Sequence, residues 1–258
     1  RYVEHAQRLL DGGCVALVPF GTTGEALSVG IHERTTALEA LVDGGIEASV
    51  LLPGTGLSNV PDTVHLTRHA VGTGCAAVLV LPPFYVKDPS DQGLVDHFEA
   101  LVDGVADDRL RIVLYHIPQV AGVGWPVGVV RRLHDAHPDT VVGIKDSSGD
   151  WGTTAAYFGI DGLAVWPGSE AWLLDGLGEG GPGCISATAN VNAPAISEVV
   201  ALHLAGRHDE AAVALGVARE WRAGLGEPLV PAMKRLLAQR LDDPTWANVR
   251  PPFEVAPA

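Results

Sequence analysis

Lysine is scarce in this 258-residue chain, which carries only Lys87, Lys145 and Lys234. Lys145 closes the run VVGIK at 141–145, behind three apolar residues and one glycine. An ammonium group strongly prefers water and is almost never fully buried unless it is paired. Partial desolvation at the end of an apolar strand favours the neutral, nucleophilic amine of a lysine. A neutral amine attacks the ketone of a 2-keto acid. Loss of water then gives a protonated Schiff base, an electron sink that turns the neighbouring carbon into an enamine. That carbon adds to an aldehyde, or is formed when an aldol bond breaks. Hydroxyls for the proton traffic stand at other strand ends: Tyr115 in RIVLY, Thr22 and Thr23 in GTTGE, Tyr85 after PPF, and Ser186 and Thr188 in CISATAN. A lysine that snorkels to the rim or pairs with Asp146 is the bland alternative. Residue types alone leave the two readings open.

The elements that must position these groups read as alternating strands and helices. Apolar runs at 14–20, 48–54, 76–84, 111–118, 140–145, 162–168 and 183–190 have the near-continuous hydrophobicity of buried parallel strands. Amphipathic stretches such as IHERTTALEALVDGG and DQGLVDHFEALVDGVA lie between them, many starting near Asp, Ser or Pro and ending in Gly. Regular alternation of this kind means a parallel sheet, closed as a barrel or open and doubly wound. The segment after the first run, GTTGEALSVG, lacks the GxGxxG spacing of the open dinucleotide-binding sheets, so a barrel is expected. Seven strands are legible and a (β/α)8 TIM barrel needs eight, so its first strand is expected upstream of Arg1. The expected organisation is a barrel over 1–205 with a C-terminal helical extension over 206–258. In a barrel, function collects where strands end and βα loops begin, which is where the lysine and the hydroxyls fall.

Composition narrows the classes. A net charge of -14 without a basic patch argues against nucleic acid. No apolar run approaches the ~20 residues of a membrane helix, and the opening RYVEHAQRLL lacks a signal peptide's apolar centre. Cys14, Cys75 and Cys184 are odd in number and border apolar runs, as reduced thiols of a cytoplasmic protein do. His65 and His69, like His134 and His137, have ligand-like spacing but no third ligand, so they read as surface histidines and no metal is expected. Lys87 and Lys234 read as solvated. GEGGPG at 178–183 precedes a strand instead of opening a helix, and reads as a turn.

Four motifs, GTTGE at 21–25, YHIP at 115–118, GIKDSSGD at 143–150 and GCISATAN at 183–190, occur in an order and spacing that resemble the dihydrodipicolinate synthase/N-acetylneuraminate lyase family of class I aldolases. The resemblance spans nearly the whole chain. It implies that Lys145 is the Schiff-base lysine and Tyr115 the proton shuttle. It implies that Thr23 and the backbone near Gly21 hold the pyruvate carboxylate while Thr22 relays protons. Tyr85 matches a tyrosine offered to a neighbouring subunit, which implies a homodimer or homotetramer. Ile185 and Gly168 match positions lining the pyruvate pocket. No cofactor is implied.

Two positions depart from the synthases of that family. Val120 stands where they carry an arginine that grips the second substrate's carboxylate, a bidentate partner that valine cannot replace. His116 stands where they carry asparagine, and on the active rim it is expected to contact substrate. The expectation is therefore a carbon–carbon or carbon–oxygen lyase that forms a Schiff base with pyruvate or a related 2-keto acid and cleaves, condenses or dehydrates a sugar acid or another keto acid, with an aldehyde as the further partner. The alternatives are the lysine-biosynthetic synthase itself, a non-catalytic keto-acid-binding relative, and a pyridoxal phosphate enzyme, for which no convincing phosphate cup is present.

Overall fold

The apolar runs pair side by side in chain order. The computed structural model describes residues 1–255, and the last three residues of the expected 206–258 extension lie outside them. Helices α1 (Tyr2–Asp11), α2 (Ile31–Asp43) and α3 (Val60–Thr73) lead into strand β1 (Val78–Val80). Then follow α4 (Asp91–Val105), β2 (Ile112–His116), the short α5 (Pro118–Ala121), α6 (Val127–Ala136), β3 (Val141–Asp146), α7 (Trp151–Phe158), β4 (Ala164–Pro167) and α8 (Leu173–Gly178). The four strands form one sheet in the order β1-β2-β3-β4, and each neighbouring pair is parallel.

The other three expected strands continue this wall without a regular ladder. Leu17 bridges Leu51 and Gly54 bridges Leu79, both in parallel, and the amide of Ile185 donates to Pro167 O at 3.0 Å. Pro19 and Pro53 have no N–H to donate, which interrupts the first two runs. The seventh run turns at Thr188 into a helix. Seven wall positions thus follow one another among the described residues, each with its helix outside, in the architecture of a TIM barrel.

Local chemistry accounts for the helix ends. Asn59 caps α3 by accepting from the Asp62 amide at 2.9 Å, and Ser90 caps α4 by accepting from Gly93 at 3.1 Å. Asp150 caps α7 by accepting from Gly152 and Thr153. Gly74 ends α3 with φ 90°, a left-handed conformation that favours glycine.

The period of two along the strands separates two cores. Val78, Val80, Ile112, Leu114, Ile144 and Val165 face the helices and join the main core with Phe98, Leu133 and Tyr157. Leu79, Val113, Tyr115 and Ile117 form a second cluster with Val18, Leu52 and Trp166 on the inner face. Beyond the wall lie α9 (Ala189–Leu204), kinked at Asn192 ahead of Pro194, then α10 (His208–Ala223) and α11 (Leu229–Arg240). Leu215 of α10 packs on Leu173, Ile196 and Val199, which ties the C-terminal helices to α8 and α9. No helix among the described residues is long and apolar enough to cross a membrane.

Candidate active site

Lys145 and Tyr115 are register partners on β3 and β2. Both are buried, and the Lys145 Nζ stands 4.3 Å from the centroid of the Tyr115 ring. A cation at that distance over an aromatic face is held by the ring quadrupole. The Tyr115 hydroxyl shares a hydrogen bond of 3.1 Å with Thr22 Oγ1. Amine, ring and two hydroxyls therefore form one line from the inside of the wall to the GTTGE turn. Thr23 is half-buried in the same turn. On the other side of the lysine, β4 pairs Trp166 with it, and Gly168 donates its amide to Asp146 O at 2.6 Å. A Cβ on Gly168 would sit 1.9 Å from Ser147 Oγ, so only glycine fits there. Ile185 borders the same strand end through its bond to Pro167.

The turn that carries Thr22 is bracketed by two non-glycine residues in the left-handed region, Phe20 at φ 58° and Glu25 at φ 53°. Such conformations persist only where surroundings over-determine them. Here they do. Buried Arg34 of α2 donates to the carbonyls of Val29, Ala26 and Gly54, and Glu25 receives Lys234 of α11 and the Arg250 amide, the latter at 2.7 Å. The terminal segment is pinned over this turn by Ser28 Oγ donating to Pro251 O at 2.7 Å. The Arg250 guanidinium is forked onto Glu33 at 2.7 and 2.8 Å.

Between the turn, β2 and the terminal segment lies a cavity of about 230 Å³. Thr22, Glu25, Ser28 and Tyr115 contribute its polar side chains. Leu79, Leu81, Phe84, Val120, Ala26 and Phe253 are among its apolar lining. Lys145 is not a wall of this cavity; it lies one side chain further in, against Tyr115.

His116 does not join the group. Its neighbour Tyr115 faces inward, so His116 faces the helices, where its Nδ1 accepts the Trp125 amide at 2.9 Å and lies 3.1 Å from the Tyr157 hydroxyl. Burial lowers its pKa, with the Asp146 carboxylate opposing. The expected substrate contact is replaced by a core role. Lys234 and Lys87 are not freely solvated either: Lys234 binds Glu25 and Asn248 O, and Lys87 donates to Phe84 O at 2.6 Å and Ala121 O at 3.1 Å. His134 is a buried residue with its ring nitrogens at the carbonyls of Val141 and Asp161. Tyr85 stands 81% exposed.

A second buried group received no role from the sequence. Glu170, fully buried, accepts from Ser186 and Thr188 and pairs with Arg222 of α10 at 3.3 Å. Burial and this carboxylate push the Cys184 thiol up to about 12, with Cys14 adding and Lys145 and Arg222 opposing. The raised pKa keeps the Cys184 thiol protonated, the poorly nucleophilic form.

A family model described as the dihydrodipicolinate synthetase family matches residues 2–255. The chain belongs to that family. It shares 36% identity over 244 residues with an uncharacterised DapA-like lyase of Chloroflexus aurantiacus, covering 93% of this chain and 79% of the relative. Among solved structures, dihydrodipicolinate synthase from Agrobacterium tumefaciens superposes with a TM-score of 0.82 at 31% identity, over 99% of this chain and 86% of that one. YagE of Escherichia coli, solved in complex with pyruvate, superposes at 0.87 with 24% identity, over 98% and 85%, a likeness of fold. Members of the dihydrodipicolinate synthetase family are class I aldolases and lyases, and this chain is a lyase of that type.

Proposed function

We propose that the protein condenses pyruvate with an aldehyde, reversibly, through a Schiff base on Lys145. The observation that carries this reading is the single line of Lys145 Nζ, the Tyr115 ring and the Tyr115–Thr22 hydrogen bond. The amine attacks C2 of pyruvate, the carbinolamine loses water, and the product is an iminium that keeps its positive charge beside the Tyr115 ring. Quadrupole attraction favours that charge. The Tyr115 oxygen, which gave its proton to the departing water, takes a C3 proton to give the enamine, whose C3 forms a bond to the aldehyde carbon while the carbonyl π bond breaks. The new alkoxide takes that proton back from the Tyr115 hydroxyl, whose hydrogen bond to Thr22 provides the relay, and the tyrosinate left behind accepts a proton from the water that hydrolyses the iminium. Water then hydrolyses the iminium and frees a 4-hydroxy-2-keto acid and the lysine.

In this scheme Thr23 and the backbone at Gly21 hold the pyruvate carboxylate, and Gly168 and Ile185 wall the keto acid on the far side. The synthase reaction fits less well, because Val120 lines the second-substrate side where a carboxylate would need a cation. Exposed Tyr85 and Val86 support a homo-oligomer in which Tyr85 reaches the site of a second copy. Three free cysteines support a cytoplasmic setting.

The test is borohydride reduction of the purified protein with and without pyruvate, read by intact mass and peptide mapping. One pyruvate-derived adduct on Lys145 is expected. Absence of that adduct on the folded protein overturns the reading.

A further inference from the structure

The cavity beside Tyr115 differs from what a polyhydroxylated or anionic partner needs. Its walls from β1, the loop after it and α5 are Leu79, Leu81, Phe84 and Val120, and the terminal segment adds Phe253. Its polar groups are few and engaged. Thr22 is bonded to Tyr115, Ser28 Oγ to Pro251 O, and Glu25 to Lys234 and the Arg250 amide.

The cations around it are engaged as well. Lys234 binds Glu25 and Asn248 O, Arg250 is forked onto Glu33, Lys87 holds two carbonyls, and Arg34 holds three. With the pyruvate carboxylate on Thr23 and the Gly21 backbone, a second carboxylate, on the aldehyde partner, would lose water without gaining a cation, and sugar hydroxyls would meet hydrocarbon. An apolar group gains from the same walls. Size points the same way: an apolar cavity of about 150 Å³ takes up benzene, and this one measures about 230 Å³.

We infer that the aldehyde partner is uncharged and carries an apolar substituent of about the size of one aromatic ring, seated between Phe84, Val120 and the C-terminal Phe253. The aldehyde oxygen then lies toward the Tyr115 and Thr22 hydroxyls, and its carbon toward the enamine on Lys145. This rests on the Schiff-base reading proposed above. The bond changes are those of the same aldol step: with benzaldehyde, C3 of pyruvate joins the aldehyde carbon and the alkoxide takes one proton, giving 4-hydroxy-4-phenyl-2-oxobutanoate with no oxidant or reductant. The terminal segment, 225 residues from the Glu25 that holds it, becomes a specificity element of the site.

The test compares benzaldehyde, glyceraldehyde and glyoxylate as partners for pyruvate on the full-length enzyme, with product read by mass and kcat/KM by pyruvate consumption. Benzaldehyde is expected to exceed the other two by at least about tenfold, as an apolar pocket discriminates. Phe253→Ala should raise the KM for benzaldehyde several-fold and leave the pyruvate KM in place. Val120→Arg should move the preference toward glyoxylate. A Lys145–pyruvate adduct together with faster turnover of glyceraldehyde or glyoxylate overturns this inference and leaves the Schiff-base reading standing. Absence of the adduct overturns both. Equal loss of all three aldehydes in Phe253→Ala also overturns it, because the segment would then act on the fold and not on the substituent.

Discussion

Lys145 and Tyr115 face each other across one rung of the parallel ladder, with the lysine amine 4.3 Å above the tyrosine ring. The pairing follows from strand register alone. Parallel neighbours at the same height point the same way, so an amine and a phenol on adjacent strand ends must meet if either faces inward. Their neighbours His116 and Asp146 form the next rung and face the helices.

Replacing Lys145 by arginine keeps the charge over the ring and removes the only amine able to form an imine there. Turnover should fall by at least about a thousandfold, as expected when a covalent nucleophile is removed. The borohydride adduct should disappear, and the far-ultraviolet circular dichroism should be unchanged. A pyruvate adduct that persists in Lys145→Arg would assign the imine to Lys87 or Lys234 instead.

Tyr115→Phe keeps the ring and deletes the hydroxyl. Proton transfer by a positioned side chain contributes about 10²- to 10⁴-fold, so kcat should fall in that range while the Lys145 adduct still forms, more slowly. Thr22→Val removes the other half of the 3.1 Å bond. If the two hydroxyls act as one relay, the double variant is no slower than Tyr115→Phe by more than a few-fold. Multiplying effects would mean two independent roles.

Much of this was legible in the sequence, and what was not has a physical cause. The capping residues Asn59, Ser90 and Asp150 and the terminal glycines carry helix boundaries in local chemistry, and α2 and α4 begin where the sequence places them. The strand-end rule singled out Lys145, Tyr115 and Thr22, and the fold brings these three side chains together. His116 was misplaced by treating every strand-end residue as rim-facing; alternation about an inward Tyr115 was the available signal. Three of the seven expected strands lost their ladders where Pro19 and Pro53 withhold donors or where the chain turns at Thr188. The Glu25–Lys234 pair spans 209 residues, and the Arg250 amide reaches Glu25 across 225. No local pattern encodes such contacts, so the closure of the cavity by Phe253 emerges only from the folded chain.

That long-range pair has a measurable cost of removal. Glu25 is almost wholly buried, while its partner Lys234 keeps 28% exposure. Taking one partner from a buried pair costs about 3–5 kcal/mol, and the partial exposure of the lysine lowers the figure to about 2 kcal/mol for Lys234→Met. Glu25→Gln should cost less, since an amide oxygen can still accept from the Arg250 amide. Denaturant midpoints compare the two; a larger loss in Glu25→Gln would show that the carboxylate charge, and not the unpaired burial, matters.

Acid sensitivity should come in part from His116. Its Nδ1 accepts the Trp125 amide, so in the neutral ring the proton sits on Nε2, and protonating Nδ1 breaks that bond. Burial holds its folded pKa below the ordinary 6.5, although the Asp146 carboxylate pulls the other way. The unfolded chain therefore takes up the proton first as pH falls, and stability is lost below about pH 6.5 and keeps falling down to the folded pKa. His5 and His97, also lowered by burial, add to the same limb. His116→Asn supplies an amide oxygen for the Trp125 N–H and cannot titrate. Its urea midpoint should change less between pH 7.5 and pH 5.5 than that of the parent protein. Parallel curves for the two proteins would assign the acid limb to other groups, His5 and His97 first.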